Sequence, residues 1–314
     1  MSVDSPGAMS RGPRKLLVND EGKSTLHFFD RDDPRRNWSH QGPGRDLQLI
    51  GQQRVLRSHP QGYVELDLAS GAVAAQITIA DLPGGVESAR RLANGHTAIL
   101  GNAGSGVFAW EVDRQGHPVS GRQQLVAGIE KTRMLRLTGE GTFLFCSETN
   151  GQRVIHELSW ERGVTSLFEV PPEVPADSMV KAVRVAANVV TVSTGYAASL
   201  LRVDTARKTV LQTIGGKSQP EPPGGKRPLS PFFFSGYQMF ENGDCLIANW
   251  QGHSPERNGQ GYQLLLYNAA GALVWWFDQT AYPMTSSLNN IIVLDGLDSA
   301  FLHDEPNGVL IPMV

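Results

Sequence analysis

Apolar and polar residues alternate along most of this chain in short stretches, each closed by a turn. YVELDLASGAVAAQITI, VFAWEVDRQGHPV, VIHELSWERGVTSLFEV, LLRVDTARKTVLQTI and QLLLYNAAGALVWWF share one form, and TLHFFDRDDPRRNWSH repeats it near the start. A period of two reads as a strand with one face turned to a core. The residues that open the intervening turns align as Asp30, Asp67, Asp113, Ser159, Asp204 and Asn268. Asx and Ser side chains accept hydrogen bonds from backbone N–H groups two residues on, which starts a β-turn. Gly71, Gly116, Gly163 and Gly271 follow three or four residues later, where a positive φ is needed. Turn chemistry, rather than catalysis, accounts for these acids.

A second pair of strands precedes each hairpin. RRLANGHTAILG and QMFENGDCLIAN carry the Asn-Gly hairpin signal, and LQLIGQQRVLRS, MLRLTGEGTFLFCS and VRVAANVVTVST are weaker counterparts. Four strands recurring about every 45 residues are the period and content of a β-propeller blade. No long window shows the 3.6-residue period of a helix. The N-terminal piece holds only the last three strands of a unit, and SLNNIIVLDG near the C-terminus supplies one inner strand. Joining them closes the ring without a free edge. The expected fold is therefore all-β: a six-bladed β-propeller of four-stranded blades, closed by one C-terminal and three N-terminal strands. A seventh blade would require SAFLHDEPNGVLIPMV to contribute to it.

Composition narrows the classes. Glycine is 34 of 314 residues, about 11% where about 7% is usual, as a turn-rich chain requires. The net charge of −3 argues against a general nucleic-acid surface but leaves room for a local basic pocket. No apolar run reaches the length of a membrane span. Two cysteines, Cys146 and Cys245, build neither a disulfide framework nor a four-cysteine zinc site. Residues 1–13 read as a disordered leader ahead of a single propeller domain over 14–314. The leader has no apolar stretch of the secretory kind, which favours the cytoplasm, although a trimmed export signal would leave the same trace.

The Asn-Gly units, together with the GALVWWF ending at Gly271–Phe277, resemble the quinoprotein-like and arylsulfotransferase-like repeat propellers. The similarity runs over most of the chain as blade pattern, and it implies a fold. Arylsulfotransferase-type enzymes use a catalytic histidine in the central site, and no histidine stands at the matching starts of the inner strands here. No pattern matches a pyrroloquinoline quinone site, and no other cofactor is specified.

The inner strand of each blade lines the channel, and the loops before it and between strands two and three share one face. Aligned on the second turn, the positions leading into the inner strands are Arg45, Ser88, Arg133, Lys181, Gly236 and Asn289. One residue earlier stand Gly44, Glu87, Thr132, Val180, Ser235 and Leu288. Three cations at one level of a channel mouth would favour a carboxylate, sulfate or phosphate. Pairing of those cations with nearby acids such as Glu87 or Glu130 is the alternative. His59, Trp250 and His253 close second strands on the same face, and either histidine could act as a general base. His253, His303, Asp304 and Glu148 match no metal-ligand spacing, so no metal is expected.

Two long insertions, Lys217–Pro231 and Gln251–Gly261, stretch the Asp204–Asn268 interval to 64 residues, against 45 or 46 for the three intervals before it. They should rise side by side on the mouth face as a partial cover, with Phe232 or Phe233 and Tyr237 as aromatic walls. The expected function is binding of a small, anionic molecule at the mouth, with or without catalysis. Arg45, Arg133 and Lys181 would supply charge, and Ser88, Asn289 and Tyr237 hydrogen bonds. A protein-interaction scaffold is the alternative, and a calcium-assisted or quinone-dependent propeller enzyme is a further one.

Overall fold

The computed structural model describes residues 12–221, 225–226, 228–253, 260–277, 279, 282 and 284–313. It is a ring of six antiparallel blades. Blade 1 contains β1 (Lys15–Asp20), β2 (Thr25–Asp30) and β3 (Trp38–Gln41). Blade 2 contains β4 (Leu47–Gly51), β5 (Arg54–His59), β6 (Gly62–Asp67) and β7 (Val73–Thr78). Blade 3 follows as β8 (Gly84–Arg91), β9 (Thr97–Ala103), β10 (Gly106–Val112) and β11 (Pro118–Ala127). Blade 4 is β12 (Arg136–Leu137), β13 (Phe143–Thr149), β14 (Gln152–Ser159) and β15 (Gly163–Glu169). Blade 5 is β16 (Ala182–Ala186), β17 (Val189–Ser193), β18 (Ser199–Asp204) and β19 (Thr209–Gly215). Blade 6 is β20 (Phe233–Met239), β21 (Cys245–Trp250), β22 (Leu264–Tyr267) and β23 (Leu273–Trp276). The chain then returns as β24 (Leu288–Val293), which pairs with β1 through Leu16–Val293 and Val18–Ile291 and completes blade 1.

The turn residues act as their chemistry requires. Asp67 Oδ1 accepts from Ser70 N, Asp113 Oδ1 from Gln115 N and His117 N, and Asp204 Oδ1 from Ala206 N and Arg207 N. Asp30 Oδ1, Ser159 Oγ and Asn268 Oδ1 do the same in their own turns. Gly71 follows with φ of 70°, and an added Cβ there would lie 2.5 Å from the Trp38 ring.

Alternation turns one face of each sheet to each neighbour, so an apolar cluster fills every gap between blades. Leu17, Leu26 and Phe28 of blade 1 meet Leu47, Leu49 and Val55 of blade 2. Leu16 and Phe29, on the opposite face of blade 1, meet Leu246 and Leu264 of blade 6. Trp275 and Trp276 divide between the two faces of β23, one packing toward blade 1 and the other toward blade 5. Cys146 and Cys245 are buried in different gaps, and burial pushes both thiols up.

The C-terminal segment is not a seventh blade. β25 (Leu302–Asp304) pairs with β4 at Leu302–Ile50, and β26 (Ile311–Met313) pairs with β25, so blade 2 becomes a six-stranded sheet. Between these strands the chain crosses the channel end opposite the mouth. Gly139 N of blade 4 donates to Pro306 O, Gly308 packs on Val185 of blade 5, and Val309 bridges Met239 of blade 6. Of the expected leader, residues 1–11 lie outside the described residues. Gly12 and Pro13 are buried, and Arg31 Nη1 donates to Pro13 O at 2.7 Å. No helix among the described residues is long and apolar enough to cross a membrane.

Candidate functional site

Two polar layers occupy the channel. The deeper one is a closed charge network. Asp46, at the start of β4, receives both terminal nitrogens of Arg136 at 2.9 Å and the hydroxyl of Ser88. Arg136 Nε donates to Glu305 at 3.0 Å, and Lys181 Nζ donates to the same carboxylate at 2.7 Å. Arg90 donates to Asp304 at 2.6 Å and to the carbonyl of Leu47 at 2.7 Å. Three cations thus face three carboxylates, and all six side chains are buried. Burial alone would raise Asp46 and Glu305, but the neighbouring cations outweigh it and hold both carboxyls below their ordinary range. For Lys181 burial wins, and its ammonium is pushed down to about 8 despite Glu305.

The upper layer is the mouth. A cavity of about 600 Å³ of empty space, partly open to solvent, is lined by Glu21, Arg45, Arg133, Tyr196, Phe233, Ser235, Trp250, His253 and Asn289, with Met134, Ser178 and Val180. One wall is charged. Arg45 bridges Glu21 at 2.8 Å and Glu87 at 2.9 Å. Arg133 makes only a 3.9 Å approach to Glu87, with its side chain 32% exposed. Burial and the like charge of Arg45 lower the Arg133 guanidinium from its ordinary value. The opposite wall is aromatic. Tyr196 meets Phe233 edge-on at 4.7 Å, Phe233 meets Trp250 at 5.3 Å, and His253 stands 4.8 Å from Trp250. Met134 and Val180 complete an apolar patch with Phe233 and Trp250. The buried indole N–H of Trp250 has no acceptor among the described residues.

The structure therefore brings Arg45, Arg133, Asn289, Trp250 and His253 around one cavity, with Glu87 behind the arginines. Asn289 Oδ1 accepts from Asn19 at 2.7 Å. Ser88 and Lys181 lie one layer deeper, their polar atoms taken by Asp46 and Glu305. A β-bulge between Val86 and Ser88 explains the first displacement, because it puts Glu87 at the mouth and turns Ser88 beneath it. Tyr237 is buried away from the cavity, its hydroxyl donating to Thr191 O at 2.7 Å and its ring carrying the Lys181 ammonium at 4.8 Å. His59 Nδ1 accepts from Gln61 N at 3.2 Å at the end of β5, outside the cavity lining.

Glu21 had no place in the sequence reading, although its turn joins β1 and β2, the second and third strands of blade 1. The two insertions do meet: Gln251 donates to Ser230 O at 3.1 Å, and Lys226 N donates to Tyr262 Oη at 2.7 Å. Residues 222–224, 227 and 254–259, on which the expected cover depends, lie outside the described residues. Among the described residues no three His, Cys, Asp or Glu side chains converge as metal ligands would.

No family model matches the chain, and no curated protein matches its sequence. Its likeness to known proteins is one of shape. A protein of unknown function from Bacteroides caccae superposes with a TM-score of 0.65 at 18% identity, covering 89% of this chain and 98% of the other. Regucalcin from Agrobacterium tumefaciens, a calcium-binding protein, gives 0.53 at 14% identity over 87% of both chains. Virginiamycin B lyase from Staphylococcus aureus gives 0.53 at 11% identity over 85% of both chains. Identities this low speak to architecture alone. The chain has a six-bladed β-propeller fold.

Proposed function

We propose that the protein binds a small anionic molecule bearing a flat apolar ring at the mouth of its channel. The observation that carries this reading is the placement of Arg133, a half-buried guanidinium held only by a long 3.9 Å ion pair to Glu87, across one cavity from Tyr196, Phe233 and Trp250. Arg45 is already held by Glu21 and Glu87, so it orients the acids rather than receiving the ligand. A carboxylate, sulfate or phosphate on Arg133 would relieve the repulsion between the two arginines. A ring against the aromatic wall would be shielded from water. The reading is one of binding, and it assigns no reacting group.

Calorimetric titration with benzoate, phenyl sulfate and phenyl phosphate, beside acetate, inorganic phosphate and benzyl alcohol, tests both halves. Aromatic anions should bind, the aliphatic anions and the neutral alcohol at least tenfold more weakly. Arg133→Ala should weaken aromatic-anion binding about 10- to 100-fold, as losing a charged hydrogen bond does. Binding that ignores Arg133→Ala, or no binding of any anion, overturns the proposal.

A further inference from the structure

Blades 5 and 6 leave a cleft between them on the face opposite the mouth. It holds about 770 Å³ of empty space, partly open to solvent, beside the crossing C-terminal segment. Its walls divide by chemistry. Leu200, Ile214, Met239 and Phe240 form the apolar part, and Gly308 and Val309 of the tail bound it. Thr191, Arg202 and Gln212 form a polar row, because they lie opposite one another on β17, β18 and β19 and share one face of the sheet. Gln212 Nε2 donates to Ala269 O at 3.3 Å, which ties the outer end of that row to blade 6.

Other gaps use the equivalent place for an ion pair. Two residues before the turn-opening Asp, Ser or Asn of each blade stand Phe28, Glu65, Glu111, Glu157, Arg202 and Leu266. Glu65 reaches Arg91 of blade 3 and Glu157 reaches Arg184 of blade 5, both at 2.7 Å. Glu111 meets His96 of its own blade at 2.7 Å. On the second strands, Leu56 lies opposite Glu65 and Leu144 opposite Glu157. Between blades 5 and 6 all three residues change. Arg202 replaces the glutamate and Thr191 the leucine. Met239 replaces the arginine, standing four residues before the glycine of its Asn-Gly turn as Arg91 does. The charge on blade 5 is inverted, and blade 6 offers no counter-charge at the matching place.

Arg202 is exposed and forms no ion pair among the described residues. Water can solvate it, so the fold itself requires no anion; its position is what gives the cleft a preference. Thr191, its cross-strand neighbour, is 3% exposed, and its hydroxyl has no hydrogen-bond partner among the described residues. A guanidinium and a hydroxyl side by side can both donate to one carboxylate. The four apolar side chains beside them favour an alkyl chain. Glu241 also lines the cleft, but it lies exposed on the β20–β21 turn and forms no ion pair among the described residues.

We infer that a short-chain aliphatic carboxylate binds between blades 5 and 6, its carboxylate on Arg202 and Thr191 and its chain against Leu200, Ile214, Met239 and Phe240. The ligand supplies the carboxylate that blade 6 lacks. This site lies on the face opposite the mouth and does not depend on the ligand proposed there.

Calorimetric titration with acetate, butyrate, hexanoate and 1-hexanol is the test. Affinity should rise about fourfold for each methylene buried between acetate and hexanoate. 1-Hexanol, which keeps the chain and lacks the charge, should bind at least about tenfold more weakly than hexanoate. Arg202→Gln should weaken hexanoate about 10- to 100-fold, and Thr191→Val about 3- to 10-fold. Arg202→Glu combined with Met239→Arg rebuilds the ion pair of the other gaps, and it should abolish hexanoate binding while the circular dichroism and Tm are kept. If that double variant does not fold, Arg202→Gln, at an exposed position, decides alone. Arg133→Ala should bind hexanoate as the unaltered protein does, so this site and the mouth fail separately. Failure of hexanoate to bind, equal affinity for 1-hexanol, or binding that survives Arg202→Gln overturns the inference. Loss of hexanoate binding in Arg133→Ala would place it at the mouth and overturn the inference as well.

Discussion

Lys181 Nζ lies 2.7 Å from a carboxylate oxygen of Glu305, a residue 124 positions further along the chain. The pair joins the inner strand region of blade 5 to a C-terminal segment added to blade 2, and Arg136 of blade 4 shares the same carboxylate. The channel thus meets its cations with anions from its own tail. Removing Glu305 should leave two buried cations short of a partner, so Glu305→Ala should cost about 3–5 kcal/mol. Urea unfolding checks this. Lys181→Met should cost less on the Glu305→Ala background than alone, and equal costs would show that the two side chains are not coupled.

His156 gives a stability change in a defined pH window. Its ring is buried, stacked on Phe145 at 4.9 Å, with Nε2 2.7 Å from Ser147 Oγ. Burial lowers it from 6.5 to about 4. The unfolded chain therefore binds a proton below about pH 6.5 that the folded protein refuses until about pH 4. Stability falls across that interval as pH drops, by roughly 3 kcal/mol from this group. Measured by urea midpoints from pH 7 to 4, His156→Phe should show a correspondingly shallower decline.

Gly195 shapes the aromatic wall. It bridges Asp177 within its own blade and Phe234 of blade 6, with φ of 59°, and an added Cβ would lie 2.1 Å from Asp177 O and 2.3 Å from Ser178 O. Backbone cannot yield as a side-chain tip can. Gly195→Ala should destabilise the fold by more than about 1 kcal/mol and shift the adjacent Tyr196. Thermal unfolding and the near-ultraviolet circular dichroism of the aromatic cluster would report the two effects. An unchanged near-ultraviolet spectrum would separate Gly195 from the mouth.

The local rules carried over well because their causes are local. An Asp or Ser that opens a turn bonds backbone only two to four residues away, so Asp67, Asp113, Ser159 and Asp204 were legible from their offsets. Ring closure was legible too, since three strands at one end and one at the other leave a single way to pair every edge. At the mouth, Arg45, Arg133 and Asn289 followed from counting back from the turns, and Trp250 and His253 from counting along the second strands. The count failed at Ser88 because one bulge in β8 moves Glu87 into the equivalent place. It also said nothing of Glu21, whose partner Arg45 belongs to the next blade.

Alternation and turn chemistry determined the blades and the face that carries the mouth, because each depends on residues close together in sequence. The strands missing at each chain end determined the number of blades, because only one pairing of the two ends leaves no free edge. Only the closed ring decided which charges meet. Lys181 stands at a position that, by register, resembles Arg133. Yet one is neutralised by Glu305 from the tail, and the other is left facing a cavity. Electrostatic pairing depends on distances across the channel, and those are set when six sheets close on one another, not by any single blade.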